Sequence, residues 1–406
     1  MNIFKTFLAR FYQLNLWLGV TIMHFKEPIV YKGDNISNEI YKILKQNGLS
    51  DTLVVVGNSL YNTKCAKEII GNLENNGIRT SVYHDFTTNP TNKNVEDGLK
   101  VYRENKHHSL IGLGGGSSMD TAKAIGACAS NPKKKIKDMK GILKVKKKLP
   151  LLIAIPTTAG TGSETTIAAV IIDAESRLKY TIEDPKLTPK IAVLDPKLLV
   201  NLPPHITSTT GMDALTHAIE AYTNRARTPR ICKNALEAIK LIYDNLYKSY
   251  KEPTNLTYRN NMQVASYKAG VAFTNGYVGY VHALSHALSG KYNVPHGLAN
   301  SLILPIILKE YSFTIYPRIA RIYDYINMGD KRLSYKEKAQ RFIDWIYLMN
   351  QQMNIKSDFN SLIKEEDIKE LVEHSYKEAY PLYPCPKMFN RKELTKLYYK
   401  IKNENK

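Results

Sequence analysis

Cysteine is scarce in this chain: 406 residues hold four, Cys65, Cys128, Cys232 and Cys385. They stand far apart and form no CxxC pair, which excludes a disulfide framework or a zinc knuckle and fits a reducing, cytoplasmic compartment. A long apolar run is also lacking. Residues 1–25, MNIFKTFLARFYQLNLWLGVTIMHF, are broken by Lys5, Arg10, Gln13 and Asn15. No uninterrupted stretch approaches the ~20 apolar residues of a membrane span, and no small-x-small cleavage site follows. This extension reads as an amphipathic helix packed on its own protein, with contact to a membrane surface as the alternative. Acidic charge is short as well, 37 acidic against 57 basic residues leaving +20. Such an excess can mark a nucleic-acid or anionic-membrane partner. The densest runs, Lys133 to Lys135 and KVKKK at 144–148, share a loop-like stretch with Asn131, Pro132 and Gly141, and no aromatics interleave there to stack bases. A solvated lysine-rich surface is the reading, with no nucleic-acid partner. Repeats of fixed period and low-complexity segments are absent too.

What is present divides in two. The length suits two domains better than one core. In the first half β-branched runs alternate with helical spacing: strands at Leu53 to Val56, Arg79 to His84, Ser109 to Leu113 and Leu151 to Ile155, with a helix from about Asn62 to Asn75. This alternation predicts a parallel sheet covered on both faces. Beyond Leu202-Pro203-Pro204 helical periodicity takes over, at Thr207 to Asn224, Arg230 to Tyr250, Tyr258 to Thr274, Gly279 to Ser289 and Glu337 to Met353. The expected organisation is an extension over 1–25, an α/β dinucleotide-binding domain over 26–203, and an all-helical domain over 204–406, with a cleft between the domains.

Two loops in the first half suit phosphate. Gly114-Gly115-Gly116-Ser117 follows a strand and opens the helical run MDTAKAIGACA, where glycine permits close approach and a helix N-terminus offers amides and a positive dipole end. PTTAGTGSE at 156–164 follows another strand and interleaves small hydroxyl donors with glycine. Two such loops at the carboxyl edge of a parallel sheet are where α/β proteins bind nucleotides. In the second half Asp213 and His217 stand four apart on a helix, as do His282 and His286, and His296 follows a proline at the end of a loop. A carboxylate with imidazoles suits a divalent transition ion, Fe²⁺ or Zn²⁺. A metal that stabilises an alkoxide, beside a nicotinamide that accepts hydride, means alcohol oxidation or carbonyl reduction.

GGGSSMDTAKAIG, PTTAGTGSETT, GMDALTHAIEAY and YVHALSHALSGKYNVPHGLANSLILP closely resemble the iron-containing (group III) alcohol dehydrogenases, from about Lys26 to Lys396. The resemblance implies a Rossmann-like α/β domain followed by a dehydroquinate synthase-like helical domain. It implies Asp213, His217, His282 and His296 as metal ligands, with His286 a non-ligand histidine near the nicotinamide taking part in proton relay. It implies that Gly115, Gly116 and Ser117 wrap the pyrophosphate, with Asp120 on the following helix, that Thr157, Thr158 and Thr161 line the cofactor, and that Asn89 and Lys179 touch it. Many members carry an acid after the first strand to grip the adenosine ribose. Here Gly57-Asn58-Ser59 stands in its place, which removes repulsion against a 2′-phosphate and predicts NADP(H) over NAD(H). A second departure, PLYPCPKMFNRKEL where many members have N-P-R, makes substrate analogy unsafe; Phe273, Tyr277 and Cys385 are pocket candidates for which core packing is the plainer role. The implied activity is that of an aldehyde reductase or alcohol dehydrogenase on a small-molecule substrate, working as a homodimer. The alternatives are a glycerol dehydrogenase-like or other polyol or hydroxy-acid enzyme, or a catalytically silent surface-binding protein.

Overall fold

The computed structural model describes residues 3–22, 26–33, 36–86, 88–175 and 179–404; of the N-terminal extension, residues 1, 2 and 23–25 therefore lie outside the described set. The chain forms two compact units, one of residues 26–202 with 254–263, the other of 1–25, 203–253 and 264–406.

The first unit is built on a six-stranded parallel sheet. In chain order its strands are β1 (Ile29–Lys32), β2 (Asp51–Val56), β3 (Arg79–Tyr83), β4 (Ser109–Gly114), β6 (Leu151–Pro156) and β9 (Ile191–Leu194), arranged in space as β1-β9-β6-β4-β2-β3. The expected run of β-branched residues is buried on both faces, and the period of two sorts it between two cores. Leu53, Val55, Leu110 and Leu152 enter one core, while Val54, Val56, Ile111, Leu113, Ile153 and Ile155 enter the other. The chain leaves β2 for β3 on one side and crosses back to β4 on the other. The carboxyl ends of β2 and β4 are therefore the topological switch point, where such sheets bind ligands.

A second sheet of three strands was not legible beforehand: β5 (Gly141–Ile142), β7 (Ala168–Ile172) and β8 (Lys179–Glu183), with β7 antiparallel to β8. The lysine-rich stretch around 131–148 is pinned to the core by buried Ile136, Met139 and Val145, and Lys133, Lys135, Lys144 and Lys146 to Lys148 are exposed.

The second unit contains no strand among the described residues. At its centre runs helix Pro204–Thr223, buried at every position from Gly211 to Thr223. A helix apolar all round belongs in a core, so the polar Asp213, His217 and Glu220 along it need internal partners. Helices Pro229–Lys251, Tyr280–Tyr292 and His296–Tyr311 belong to the same unit. His296 is the first residue of a helix rather than the end of a loop: Pro295 is its N-cap, with φ −56°. Among the described residues no single helix is long and apolar enough to cross a membrane.

Candidate metal centre and nucleotide loops

In helix Pro204–Thr223, positions 213, 217 and 220 fall on one face by the 3.6-residue period. Asp213 and His217 are buried there, with His282 from Tyr280–Tyr292 and His296 from His296–Tyr311 brought beside them. One ligand atom from each of the four lies within 4.8 Å of all the others. The rings interleave: His217 stacks on His282 with centroids 4.6 Å apart and on Phe273 at 4.1 Å, and His282 and His296 are 5.2 Å apart. Burial, then the nearby imidazoles, hold His282 well below the usual histidine range, so it is neutral and able to coordinate.

A divalent ion fits these residues. Asn300, one turn beyond His296, sends its Nδ2 to Asp213 Oδ1 at 2.6 Å, with His296 Nε2 at 3.1 Å and His282 Nε2 at 3.2 Å. The lone pairs of a carboxylate and two imidazoles thus converge on one buried point, which only a donor or a cation satisfies. Asn300 Oδ1 meanwhile is buried with no partner among the described residues. A hard anionic oxygen with three imidazole nitrogens is a donor set for iron or zinc alike.

Reasoning from sequence alone missed the groups behind the candidate ligands. Glu220, 3% exposed, faces His282 Nδ1 at 2.6 Å and accepts from the amides of Gly279 and Val281, each at 2.8 Å. It thereby caps the start of helix Tyr280–Tyr292 and turns His282 so that Nε2 points to the cluster. Burial lifts its carboxyl to about 8 against the pull of those amides. The signal was present, since Glu220 follows Asp213 and His217 on the same face. His286 leans on the cluster from outside, its ring 5.0 Å from that of His296. Its Nδ1 lies 2.7 Å from Glu378 Oε1, which also accepts from Tyr383 Oη at 2.8 Å. Nothing in the spacing pointed to Glu378, 92 residues away from His286. Cys385 is fully buried, its thiol pushed up to about 12 by burial, and Tyr277 adopts φ +60°.

In the α/β unit the two glycine-bearing loops meet at the switch point. Gly114, at φ +145°, makes the turn out of β4, and any Cβ there would strike Ser118 Oγ at 2.4 Å. Gly115 and Gly116 then face the second loop: a Cβ on Gly115 would lie 3.4 Å from Thr158, and one on Gly116 3.1 Å from Thr161. Thr158 Oγ1 is buried with no partner among the described residues, and Thr157 N donates to Gly114 O at 3.0 Å. Bare glycine backbone, an unused hydroxyl and the N-terminus of helix Gly116–Ser130 suit a pyrophosphate. Ser117 Oγ donates to the Thr88 carbonyl, next to the half-buried Asn89. Gly57 and the exposed Asn58 and Ser59 end β2 beside this loop, since a Cβ on Gly57 would lie 3.8 Å from Ser118 Oγ.

Asp120 is drawn inward: its carboxylate accepts from Ser163 Oγ at 2.8 Å and from Val170 N at 3.1 Å. Beside it Lys123, fully buried, donates to Ser163 Oγ (3.0 Å), Thr166 Oγ1 (2.9 Å) and the carbonyls of Thr166 and Ala168 (3.1 and 2.9 Å). Burial pushes this lysine down to about 8 and buried Glu164 up to about 7. Together Asp120 and Lys123 lash the second loop to helix Gly116–Ser130. Lys179, at the start of β8, is close enough to Asp120 for that carboxylate to offset part of its burial.

The sequence profile of iron-containing alcohol dehydrogenases matches residues 28–196, and that of the C-terminal domain of the Fe-containing alcohol dehydrogenase family matches residues 207–402. The NAD-dependent methanol dehydrogenase of Bacillus methanolicus is 36% identical over 356 residues, 87% of this chain and 93% of its own. The NADPH-dependent butanol dehydrogenase of Clostridium saccharobutylicum is 32% identical over 386 residues, 93% of this chain and 97% of its own. Among solved structures, the alcohol dehydrogenase from Oenococcus oeni matches with a TM-score of 0.89 at 30% identity, over 93% of this chain and 99% of that one.

Proposed function

Because the chain belongs to the iron-containing alcohol dehydrogenase family, we propose that it transfers hydride between NADP(H) and a small primary alcohol or its aldehyde, with Asp213, His217, His282 and His296 holding the metal. The observation that carries this reading is the convergence of those four groups within 4.8 Å. A divalent ion held there supplies a Lewis acid for a substrate oxygen, and the nicotinamide carries the hydride.

The protein's own part is to bind, aim and move a proton. Asp213 sets a negative charge in a buried site, so a cation is retained and a lone anion is not. Glu220 fixes the ring of His282. His286, held at Nδ1 by Glu378 (2.7 Å), has Nε2 left to exchange a proton with substrate. Glu378 is in turn held by Tyr383, and its side chain is one-fifth exposed, so it can pass that proton to water. Replacing His282 by Ala should empty the site and lower turnover by ~100-fold or more while nucleotide binding persists. Elemental analysis with an aldehyde panel, before and after chelation, checks it; full activity without metal would end the reading.

The preference for NADP(H) rests on Gly57. With φ −65° and ψ 146° the position demands no glycine, and a Cβ would meet only Ser118 Oγ at 3.8 Å. What glycine supplies there is room and the absence of a carboxylate. Gly57→Asp should shift the NADPH-to-NADH ratio of kcat/KM toward NADH by at least about tenfold. Equal use of the two cofactors by the unsubstituted protein would overturn the preference.

A further inference from the structure

The N-terminal helix Ile3–Ile22 is seated on the helical unit by its polar side. Gln13, 6% exposed, donates to the carbonyls of Pro381 (2.7 Å) and Tyr383 (2.9 Å). Arg10 donates to Cys385 O (2.8 Å) and to Gln13 Oε1 (2.9 Å), and Ala9 is buried between them. Positions 9, 10 and 13 occupy one face, so the other looks outward, and that face is apolar, with Phe7 (65% exposed), Leu8, Phe11 (59%), Tyr12, Leu14 and Leu18, except for Asn15, whose amide turns back to the Phe11 carbonyl at 2.8 Å. A surface helix of a protein that stays in water has the reverse arrangement. A contiguous apolar stripe of this kind marks an interaction surface.

Arginines gather beside it. The first acidic residue of the chain is Glu27. Arg10 lies within electrostatic reach of Arg225, and Arg225 and Arg227 are close enough to Arg318 to help burial push its guanidinium down to about 10. Arg321 shares the neighbourhood of Tyr222 with Arg227 and Arg318. Arg225 and Arg321 are exposed, and among the described residues none of Arg225, Arg227, Arg318 and Arg321 pairs with a carboxylate.

We propose that this face docks on an anionic phospholipid surface. The helix lies in the plane of the interface with Phe7, Phe11, Leu14 and Leu18 at the boundary of headgroups and acyl chains, while the arginines meet lipid phosphates. The helix is too short of apolar residues to span, so it anchors by lying flat. A second copy of the chain is the poorer occupant: two such faces brought together would oppose arginine clusters with no acid between them, whereas an anionic bilayer answers both the apolar stripe and the charge.

Sedimentation of the full chain with vesicles tests this, using mixed phosphatidylglycerol and phosphatidylcholine against phosphatidylcholine alone. The protein should bind the anionic vesicles, bind the neutral ones at least about tenfold less, and release as salt rises. Phe7→Asp with Phe11→Asp, and separately Arg225→Glu with Arg321→Glu, should each cut binding at least about tenfold while aldehyde reduction without lipid is unchanged. No binding to anionic vesicles, or undiminished binding by the phenylalanine variant, overturns the proposal. So does a wild-type dimer that this variant converts to monomer while vesicle binding is nil, which would assign the face to a second copy.

Discussion

At the scale of single residues, the proposed metal centre depends on a carboxylate outside the candidate ligand set. Glu220 spends Oε1 on the Val281 amide and Oε2 on Gly279 and His282. An amide side chain of the same shape replaces one of those acceptors with a donor, so Glu220→Gln must leave Gly279, Val281 or His282 without its partner. The expected result is a ~10–100-fold loss of metal affinity, read by competition with a chelator, with NADPH binding retained. Unchanged affinity would mean that the fold alone orients His282. Asn300 shows the complementary logic. Its amide nitrogen stands 2.6 Å from Asp213 Oδ1 and near two imidazoles, at the lone pairs that a cation would take. Which residues gather was legible in part, since Asp213 and His217, and His282 and His286, stand four apart in a chain with only ten histidines, while the resemblance to the family singled out His282 and His296 as the other two candidate ligands. What supports them was less so: Glu220 sits on the same helical face and could have been read, whereas Glu378 reaches His286 only through tertiary packing.

At the scale of elements, the site is a product of how closely helices approach. Gly297 follows the candidate ligand His296, and a Cβ on it would sit 2.6 Å from the backbone oxygen of Thr209 on helix Pro204–Thr223. That carbonyl belongs to a buried helix and cannot swing aside as a side-chain tip would. Gly297→Ala should therefore push His296–Tyr311 off its neighbour, costing ~1–3 kcal/mol of stability and weakening metal retention although no ligand is changed. Gly290→Ala is the control. Nothing lies within 4 Å of its Cβ position, so the change should leave metal retention alone and favour the helix by up to ~1 kcal/mol. Thermal unfolding with metal analysis of both variants checks the pair. The same scale explains which elements could be read beforehand. β2, β4 and β6 are short runs of mostly apolar residues buried on both faces, β-branched throughout Val54 to Val56 in β2, and such runs between turn residues read as strands. β1 is four half-exposed residues at an edge, and β5 is two, too short for any periodicity to register. The helix at His296 was hidden because a proline ahead of it reads as a loop, although proline fits a helix start, where an amide would be unpaired anyway.

At the scale of the whole molecule, the chemistry is divided between two units of different construction, and each should register its own ligand. In the helical unit the amides of Gly279 and Val281 donate to Glu220, and Glu220 faces the candidate ligand His282. A bound cation favours the charged form of that carboxylate and strengthens both bonds, so hydrogen exchange there should slow on metal loading and quicken on chelation. In the α/β unit the first turn of helix Gly116–Ser130 carries amides that a helix leaves without internal partners. NADPH should slow exchange over Gly115 to Ser118 and along the loop from Thr157 to Ser163, by the mass-action stabilisation any ligand of the folded state confers. Exchange measured by mass spectrometry on apo, metal-loaded and NADPH-loaded protein separates these effects segment by segment. If metal loading left the segment around Gly279 and Val281 unaltered, the four converging side chains would be a coincidence of packing. If NADPH left 115–118 unaltered, the glycines after β4 would be there for the turn alone.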